Sequence, residues 1–428
     1  MTVAIVTLLT SIALGFPIIF VLGLAAAFML LFTTDLPLAL VAHRYYAGMN
    51  SFPIMAVPFF ILAGFIMDAA GISRRIVELC VAMIGWMTGS LLQVAIFAAT
   101  GLAAMSGSGT ADTAAIASIL TPELKKRKYD IDFALGIIAT AGSHAQIIPP
   151  SLMMVIIGVV NDLSIGALFL SGVLPGLLTV PALSVVAYLH AKRGGEAYKD
   201  PVPFSLARLA RTFWNAIPAI GMAVIILVGI LGGFFTATEA AAIAAWYGLV
   251  VGLFVYKDLK FHQLPRIFLK AGGISCGLLA LVGVGNIFGY LMAVADVPAL
   301  MSAWIQGTVS QGWTFLLLIN VVFLVLGCFG ESIVYILILS PVLLPIAQGF
   351  GIDPIHFCLV MVFNLVIGLI TPPIGACLFV VSVVGQRTIL QISRRLFWPF
   401  FSMVVVLGLV TYVPELSLYL PRAAGFIR

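Results

Sequence analysis

Apolar runs long enough to cross a bilayer as a helix, about 20 residues each, recur along this chain between short polar breaks. Their spacing predicts nine crossings: 3–32, 53–71, 132–160, 166–190, 213–232, 238–256, 271–295, 354–386 and 396–414. Two further apolar stretches, 91–124 and 313–346, are each interrupted near the middle by a small polar cluster. Their halves are too short to span alone, which predicts two re-entrant helical hairpins that enter and leave by one face. The crossings at 132–160 and 354–386 each carry a Pro-Pro pair. Proline removes a helix N–H and breaks the ladder, so these two predict broken helices. The fold class is an all-α polytopic membrane protein.

Composition agrees with the pattern. The chain is 62% hydrophobic and 9% charged, where a soluble domain carries roughly a quarter charged residues. The first run has no basic n-region and continues to Phe32, so it reads as a membrane helix and not a secretory leader. The five cysteines lie in or beside apolar segments without paired spacing and read as small buried apolar residues. The net charge of +5 is a topology signal and not a nucleic-acid surface. With both hairpins re-entrant, eighteen of the 21 Lys and Arg residues fall on one side, and only Arg44, Arg422 and Arg428 on the other. Basic loops favour the cytoplasm, which predicts the N-terminus inside and the C-terminus outside.

The chain also repeats itself. SGSGTADTAAIASILTPEL followed by IDFALGIIATAGSHAQIIPPS resembles GCFGESIVYILILSPVLLPIA followed by IDPIHFCLVMVFNLVIGLITPPIG. Gly109 matches Gly330, Asp132 matches Asp353, and Pro149-Pro150 matches Pro372-Pro373. An odd number of crossings separates the two hairpins, so the copies face opposite ways. Inverted repeats with broken helices are a design of secondary transporters. The expected organisation is a first inverted repeat over 1–190, a cytoplasmic connector over 191–212 and a second repeat over 213–428.

The candidate chemistry lies at four breaks, one hairpin tip and one broken helix in each repeat. Irregular backbone inside a bilayer is tolerated only where protein or a water-filled cavity satisfies it. Exposed carbonyls and hydroxyls are hard ligands suited to Na⁺. The first tip (Ser106 to Thr110) and first break (Gly142 to Pro150) predict a site using Ser106, Ser108, Gly142 and Ile147. The second tip and break predict one using Gly327, Gly330, Gly368 and Thr371. The half-helices starting near Thr110 and Ser332 direct their positive dipole ends inward, which suits a carboxylate. Asp112, Glu239 and Glu331 lie within apolar surroundings, where ionisable groups are costly and usually functional. Asp112 reads equally as a helix N-terminal residue bonded to backbone. Thr236, Thr238 and Glu239 read as a tie between the repeats, and His144 as a hydrogen-bonded structural residue. No HExxH, GxGD or Gly-Lys dipeptide occurs, and no GxSxG nucleophile elbow surrounds Ser106, Ser108 or Ser143, so no protease motif or ATP motor is indicated at these breaks. An ion channel is the other transport reading, but paired inverted hairpins suit alternating access better than a continuous pore.

At SGSGTADTAAIASILTPE, GFFTATEAAAIAA and NLVIGLITPPIG the chain resembles the large membrane subunit of tripartite ATP-independent periplasmic (TRAP) transporters. The resemblance covers essentially the whole sequence. It implies a Na⁺-coupled elevator importer in the bacterial inner membrane, with a small four-helix membrane subunit as a separate chain and a periplasmic substrate-binding protein. The family's substrates include sialic acid, C4-dicarboxylates and other organic acids. The resemblance also implies that Ser106, Ser108, Ser151 and Glu331 lie nearest the substrate. A stand-alone carboxylate symporter and an intramembrane enzyme are the alternatives.

Overall fold

The computed structural model describes all residues except 1–5, 8–9, 12–13, 34–35, 38, 199–202, 310 and 428. Among the described residues there are twenty α-helices and no strand. The first half contains α1 (Ile18–Thr33), α2 (Ala39–Met49), α3 (Ala56–Ala69), α4 (Ile72–Ile84), α5 (Ser90–Ser106), α6 (Gly109–Lys126), α7 (Ile131–His144), α8 (Leu152–Val160) and α9 (Ile165–Arg193). The second contains α10 (Leu206–Leu231), α11 (Ala237–Val250), α12 (Leu264–Val294), α13 (Val297–Thr308), α14 (Gly312–Gly327), α15 (Ser332–Gly349), α16 (Pro354–Gly368) and α17 (Ala376–Gly385). It closes with α18 (Ile389–Arg395), α19 (Phe397–Tyr412) and α20 (Glu415–Ala423).

Five helices are long and apolar enough to cross a membrane, or eight if three bent pairs are each one span. The nine expected crossings differ from that count for a physical reason. Two of them are the proline-broken runs, whose halves fall short singly. α7 has 14 residues and α8 has 9, which at 1.5 Å per residue gives about 21 and about 14 Å. Only together do they match the roughly 30 Å hydrocarbon core. The expected crossing at 3–32 lies partly outside the described residues. Helices α2 and α20 were not expected, because neither sits in a long apolar run: α2 holds His43, Arg44 and two tyrosines, and α20 holds Glu415 and Arg422.

The expected hairpins fall on the helix pairs α5–α6 and α14–α15, and the broken helices on α7–α8 and α16–α17. Contrary to expectation, one hairpin arm does not fall short: α15, with 18 residues, is among the five helices long enough to cross. Asp130 caps α7, its carboxylate accepting from Phe133 N at 3.2 Å, and Asp353 caps α16, accepting from Ile355 N at 2.8 Å. These caps lie 223 residues apart, the spacing of the two Pro-Pro pairs. Asp130, and not Asp132, thus holds on α7 the capping place that Asp353 holds on α16. Asp132 instead pairs with Arg387 at 2.9 Å. Both Pro-Pro bonds are cis. The two halves interlock: α8 packs on α15, and α17 packs on α6 and α7. Asn161, just past α8, donates to Ser340 Oγ on α15 at 2.7 Å.

Helix α11 packs closely on α3. Thr238 ties the halves as expected, donating to Phe52 O at 2.9 Å. Glu239 does not lie in an apolar interior. It is exposed and closes a capping box with Thr236, accepting from Thr236 N at 2.8 Å. Its apolar neighbours in sequence belong to the rest of α11, while the helix start itself is open.

Contacts sort the loops onto two faces. Arg75 binds Asp258 at 2.7 Å and stacks on Tyr256. A cavity joins Glu78 to Glu123, Arg127 and Arg208. Asp130 meets both Tyr198 and Arg395. These links gather the basic loops on one face. On the other, a cavity joins Arg44 to Asp162 and Tyr290, Phe426 packs against Gly166, and His356 bonds Ser417 at 2.7 Å. In a variant without the five cysteines, single cysteines at Lys126, Lys192 and Arg394 should share one labelling behaviour in sealed vesicles. Cysteines at Asp162, Gln348 and Arg422 should show the opposite one towards an impermeant maleimide. Mixed behaviour within either group would break the two-face arrangement.

Candidate functional site

The first hairpin tip is built by a change of backbone conformation within three residues. α5 ends at Ser106, Gly107 takes a left-handed φ of 62°, and Ser108 is extended before α6 begins. A side chain at Gly107 would be strained and would also strike the carbonyl of Pro150. Ser106 Oγ donates to Asp112 Oδ1 at 2.6 Å and accepts from Ser108 N at 3.2 Å. Asp112 is 1% exposed, and its second carboxylate oxygen has no partner among the described residues. The carboxylate therefore closes the tip through Ser106 and not by capping backbone N–H groups. Thr113, one residue on, donates to Gly109 O at 2.6 Å.

The first break faces this tip. Between α7 and Ser151, which caps α8, residues 145–150 form a buried turn. Leu152 N donates to Gly107 O at 3.4 Å, joining tip and break directly. The Gly142 carbonyl lies 2.8 Å from where a Cβ on Gly109 would sit, so these two chains meet through glycine on both sides. The Ile147 carbonyl is directed to Gly172 of α9. Ser106, Ser108 and Gly142 are thus grouped around the tip, while Ile147 turns toward α9. Ser151 Oγ is engaged by Met154 N at 3.4 Å. His144 is fully buried and its Nε2 lies 3.3 Å from Thr100 Oγ1 on α5, a structural contact.

The second pair repeats the arrangement. α14 ends at Gly327, and Glu331 is the extended residue before α15. Ile374 N, just past the second Pro-Pro pair, donates to Cys328 O at 3.3 Å. Ser332 Oγ donates to Leu365 O at 3.4 Å. Gly327 and Gly368 are in backbone contact: a Cβ on Gly368 would lie 2.6 Å from the Gly327 Cα and O. Thr371 Oγ1 donates to Ile367 O at 2.8 Å, and Gly330 lies beside the Tyr335 hydroxyl. Glu331 is exposed at the tip. The first break is buried throughout, whereas Pro372, Pro373 and Ile374 are exposed.

Three groups near these breaks were not singled out from sequence. Gln146 approaches Gly109 in the first site, and its Oε1 has no partner among the described residues. Cys377 on α17 is fully buried, and α17 packs on α6, which carries Thr113, linking the first tip's helix to the second broken helix. Asn364 on α16 donates to Asn320 Oδ1 at 2.7 Å, and Asn320 donates to Thr411 Oγ1 at 3.0 Å. The signal for Asn364 was available, as a fully buried amide seven residues before Thr371 within an apolar run. Among the described residues no three His, Cys, Asp or Glu side chains cluster as metal ligands. The donors at the breaks are carbonyls, hydroxyls and single carboxylates.

Helix tips bonded to proline-broken helices form the centre of an all-helical protein with several spans apolar enough to cross a membrane. Comparison with known proteins gives the family: residues 5–416 match the DctM component of the tripartite ATP-independent periplasmic transporters, and the chain belongs to that family. Its relatives are transport permeases and not enzymes. The isethionate TRAP transporter permease protein DctMQ of Oleidesulfovibrio alaskensis is 40% identical over 406 residues, 95% of this chain and 64% of that one. The chain thus spans somewhat less than two thirds of that relative's length. The C4-dicarboxylate TRAP transporter large permease protein DctM of Rhodobacter capsulatus is 34% identical, covering 96% of each chain. The sialic acid TRAP transporter large permease protein SiaM of Vibrio cholerae is 37% identical, covering 97% of this chain and 96% of that one. The crystal structure of the Alcanivorax borkumensis YdaH transporter, described as having an unusual topology, shares the fold with a TM-score of 0.58 at 14% identity, covering 87% and 88%.

Gly368→Ala should force tip and break apart, at about 1–3 kcal/mol for overpacking. Gly277→Ala, in open space on α12, should be near neutral. Thermal midpoints of the detergent-purified variants measure both. Equal midpoints would mean that the Gly327–Gly368 contact is not part of the stable fold.

Proposed function

We propose that this chain is the large subunit of a tripartite importer that carries a small organic acid across the bacterial inner membrane, driven by Na⁺. The observation that carries the reading is the matched geometry of the two halves. In each, an N–H just after the Pro-Pro pair bonds a carbonyl of that half's hairpin tip. Each junction concentrates oxygen donors in an otherwise apolar chain, and unwound carbonyls at broken helices are the usual Na⁺ ligands of secondary transporters. Na⁺ here is a co-transported substrate. Site one would use Ser106, Ser108 and Gly142, with Asp112 in place of Ile147 as a further donor through its unpartnered oxygen. Site two would use Gly327, Gly330, Gly368 and Thr371. Glu331, Ser106, Ser108 and Ser151 would line the organic acid.

On this reading 1–190 and 213–428 are inverted repeats joined by the connector 191–212. Residues 91–160 and 313–386 move as an elevator against the remainder. The frame is braced by a small four-helix membrane subunit, and a periplasmic substrate-binding protein delivers the acid. Relatives named for isethionate, sialic acid and C4-dicarboxylates support an organic anion as the substrate class. The basic face is cytoplasmic, which places the N-terminus inside and the C-terminus outside.

Uptake into liposomes decides the coupling. It should require the small subunit, the loaded binding protein and an inward Na⁺ gradient, and proceed without ATP. Uptake unchanged when choline replaces Na⁺ would refute Na⁺ coupling, and robust uptake by this chain alone would refute the tripartite assembly. Orientation has its own test. In intact cells an impermeant maleimide should label Gln348→Cys and leave Lys192→Cys unlabelled; the reverse would invert the topology.

A further inference from the structure

Helices α9 and α19 pack together, and where α9 ends and α18 turns into α19 they leave a cavity of about 350 Å³ on the basic face. Three guanidinium groups border it: Arg193 from the last turn of α9, and Arg394 and Arg395 from the last turn of α18. The rest of its wall is Phe133, Leu189 and Trp398 among others, with the His190 imidazole stacked on Phe133. Arg395 is paired with Asp130 at 3.5 Å. Among the described residues Arg193 and Arg394 have no ion pair. Among the described residues, three guanidinium groups face one carboxylate around this partly apolar hollow.

We propose that this cavity binds the headgroup of an anionic phospholipid. A cation in the last turn of a helix is favoured by the helix dipole, which accounts for each arginine singly. It does not account for three of them, from two helices, around one hollow with aromatic walls. Basic pockets between membrane helices, on the side where basic loops gather, are the usual form of acidic-lipid recognition. Arginine also suits phosphate, because its planar fork donates two parallel N–H bonds. The surroundings fit a lipid and not a free ion. Val185 and Leu189 on α9, and Phe401 and Val405 on α19, are exposed apolar residues leading away from the cavity, a path for acyl chains. Exposed Phe397 and Trp398 sit beside the arginines, as aromatic residues do at the membrane–water boundary.

Native mass spectrometry on the purified full chain tests this, with phosphatidylglycerol, cardiolipin and phosphatidylcholine offered in equal amounts. The acidic lipids should be retained over phosphatidylcholine. An Arg193→Gln/Arg394→Gln double variant should hold them on the order of tenfold more weakly, with phosphatidylcholine retention unchanged. Trp398→Ala, which keeps the charges, should weaken retention less. A thermal midpoint for each variant confirms that it is folded. Inorganic phosphate should not displace the lipid at matched charge. Equal retention of all three lipids, unchanged acidic-lipid retention in the folded double variant, or displacement by inorganic phosphate would each overturn the proposal. None of these outcomes depends on transport, so they stand apart from the Na⁺-coupled reading.

Discussion

Everything distinctive in this chain follows from one constraint: inside a bilayer, a backbone polar group that leaves a helix must find a partner in the protein. The chain leaves helical geometry at four places within its apolar runs and meets the constraint by pairing them. Leu152 N to Gly107 O and Ile374 N to Cys328 O are the two bonds that join break to tip. Glycine makes the approach possible. Gly142 faces Gly109 and Gly368 touches Gly327, and in each pair a single added carbon would collide. The same closeness that satisfies the backbone concentrates carbonyls and hydroxyls, so structural necessity and candidate ion chemistry arise at the same atoms.

The hairpins do not stand alone against their own broken helices. α8 lies on α15, and α17 on α6 and α7, so each half completes its partner. Asn161 to Ser340, and Asp132 to Arg387 just past α17, are polar contacts across that exchange. A displacement of one hairpin therefore strains elements of both halves. Around this centre the frame is held by apolar packing, α3 on α11 above all, with Thr238 to Phe52 O as its polar tie. Most charged residues lie at helix ends and in loops, with Asp112 buried at the first tip a departure from that rule.

The hairpins, the broken helices and the two-face distribution of charge were legible because each rests on a local signal. Apolar length, paired prolines, and glycine with serine between short apolar runs need no tertiary information. What was not legible depended on partners distant in sequence. Asp112 looked equally like a cap, and only the fold shows it accepting the Ser106 hydroxyl. Glu239 has apolar neighbours in sequence, but Thr236 and Glu239 lie exposed at the start of α11, which the sequence does not distinguish from the buried starts of α6 and α8. The repeat was aligned on Asp132, whereas Asp130 holds the capping role, a choice that two adjacent acidic positions leave undecided. Ile147 carries the expected carbonyl, but α9 determines where it points.

That helix also explains why two similar breaks have different surroundings. Both contain a Pro-Pro pair bonded to a hairpin tip, yet the first is sealed and the second is open. Local sequence is not the cause, since the exposed copy is no more polar: Phe329 and Ile374 are 59% and 54% exposed. The cover comes from α9. Gly172 admits the Ile147 carbonyl and Gly176 admits Ile148, each at a distance where a methyl group would clash. Two glycines one turn apart give α9 a groove into which the first break fits, so a packing surface remote from the break sets its access to water. The second break presents its prolines, Ile374 and Glu331 outward. The two junctions share a bonding pattern and differ in their cover, and that difference comes from α9 and not from the junctions themselves.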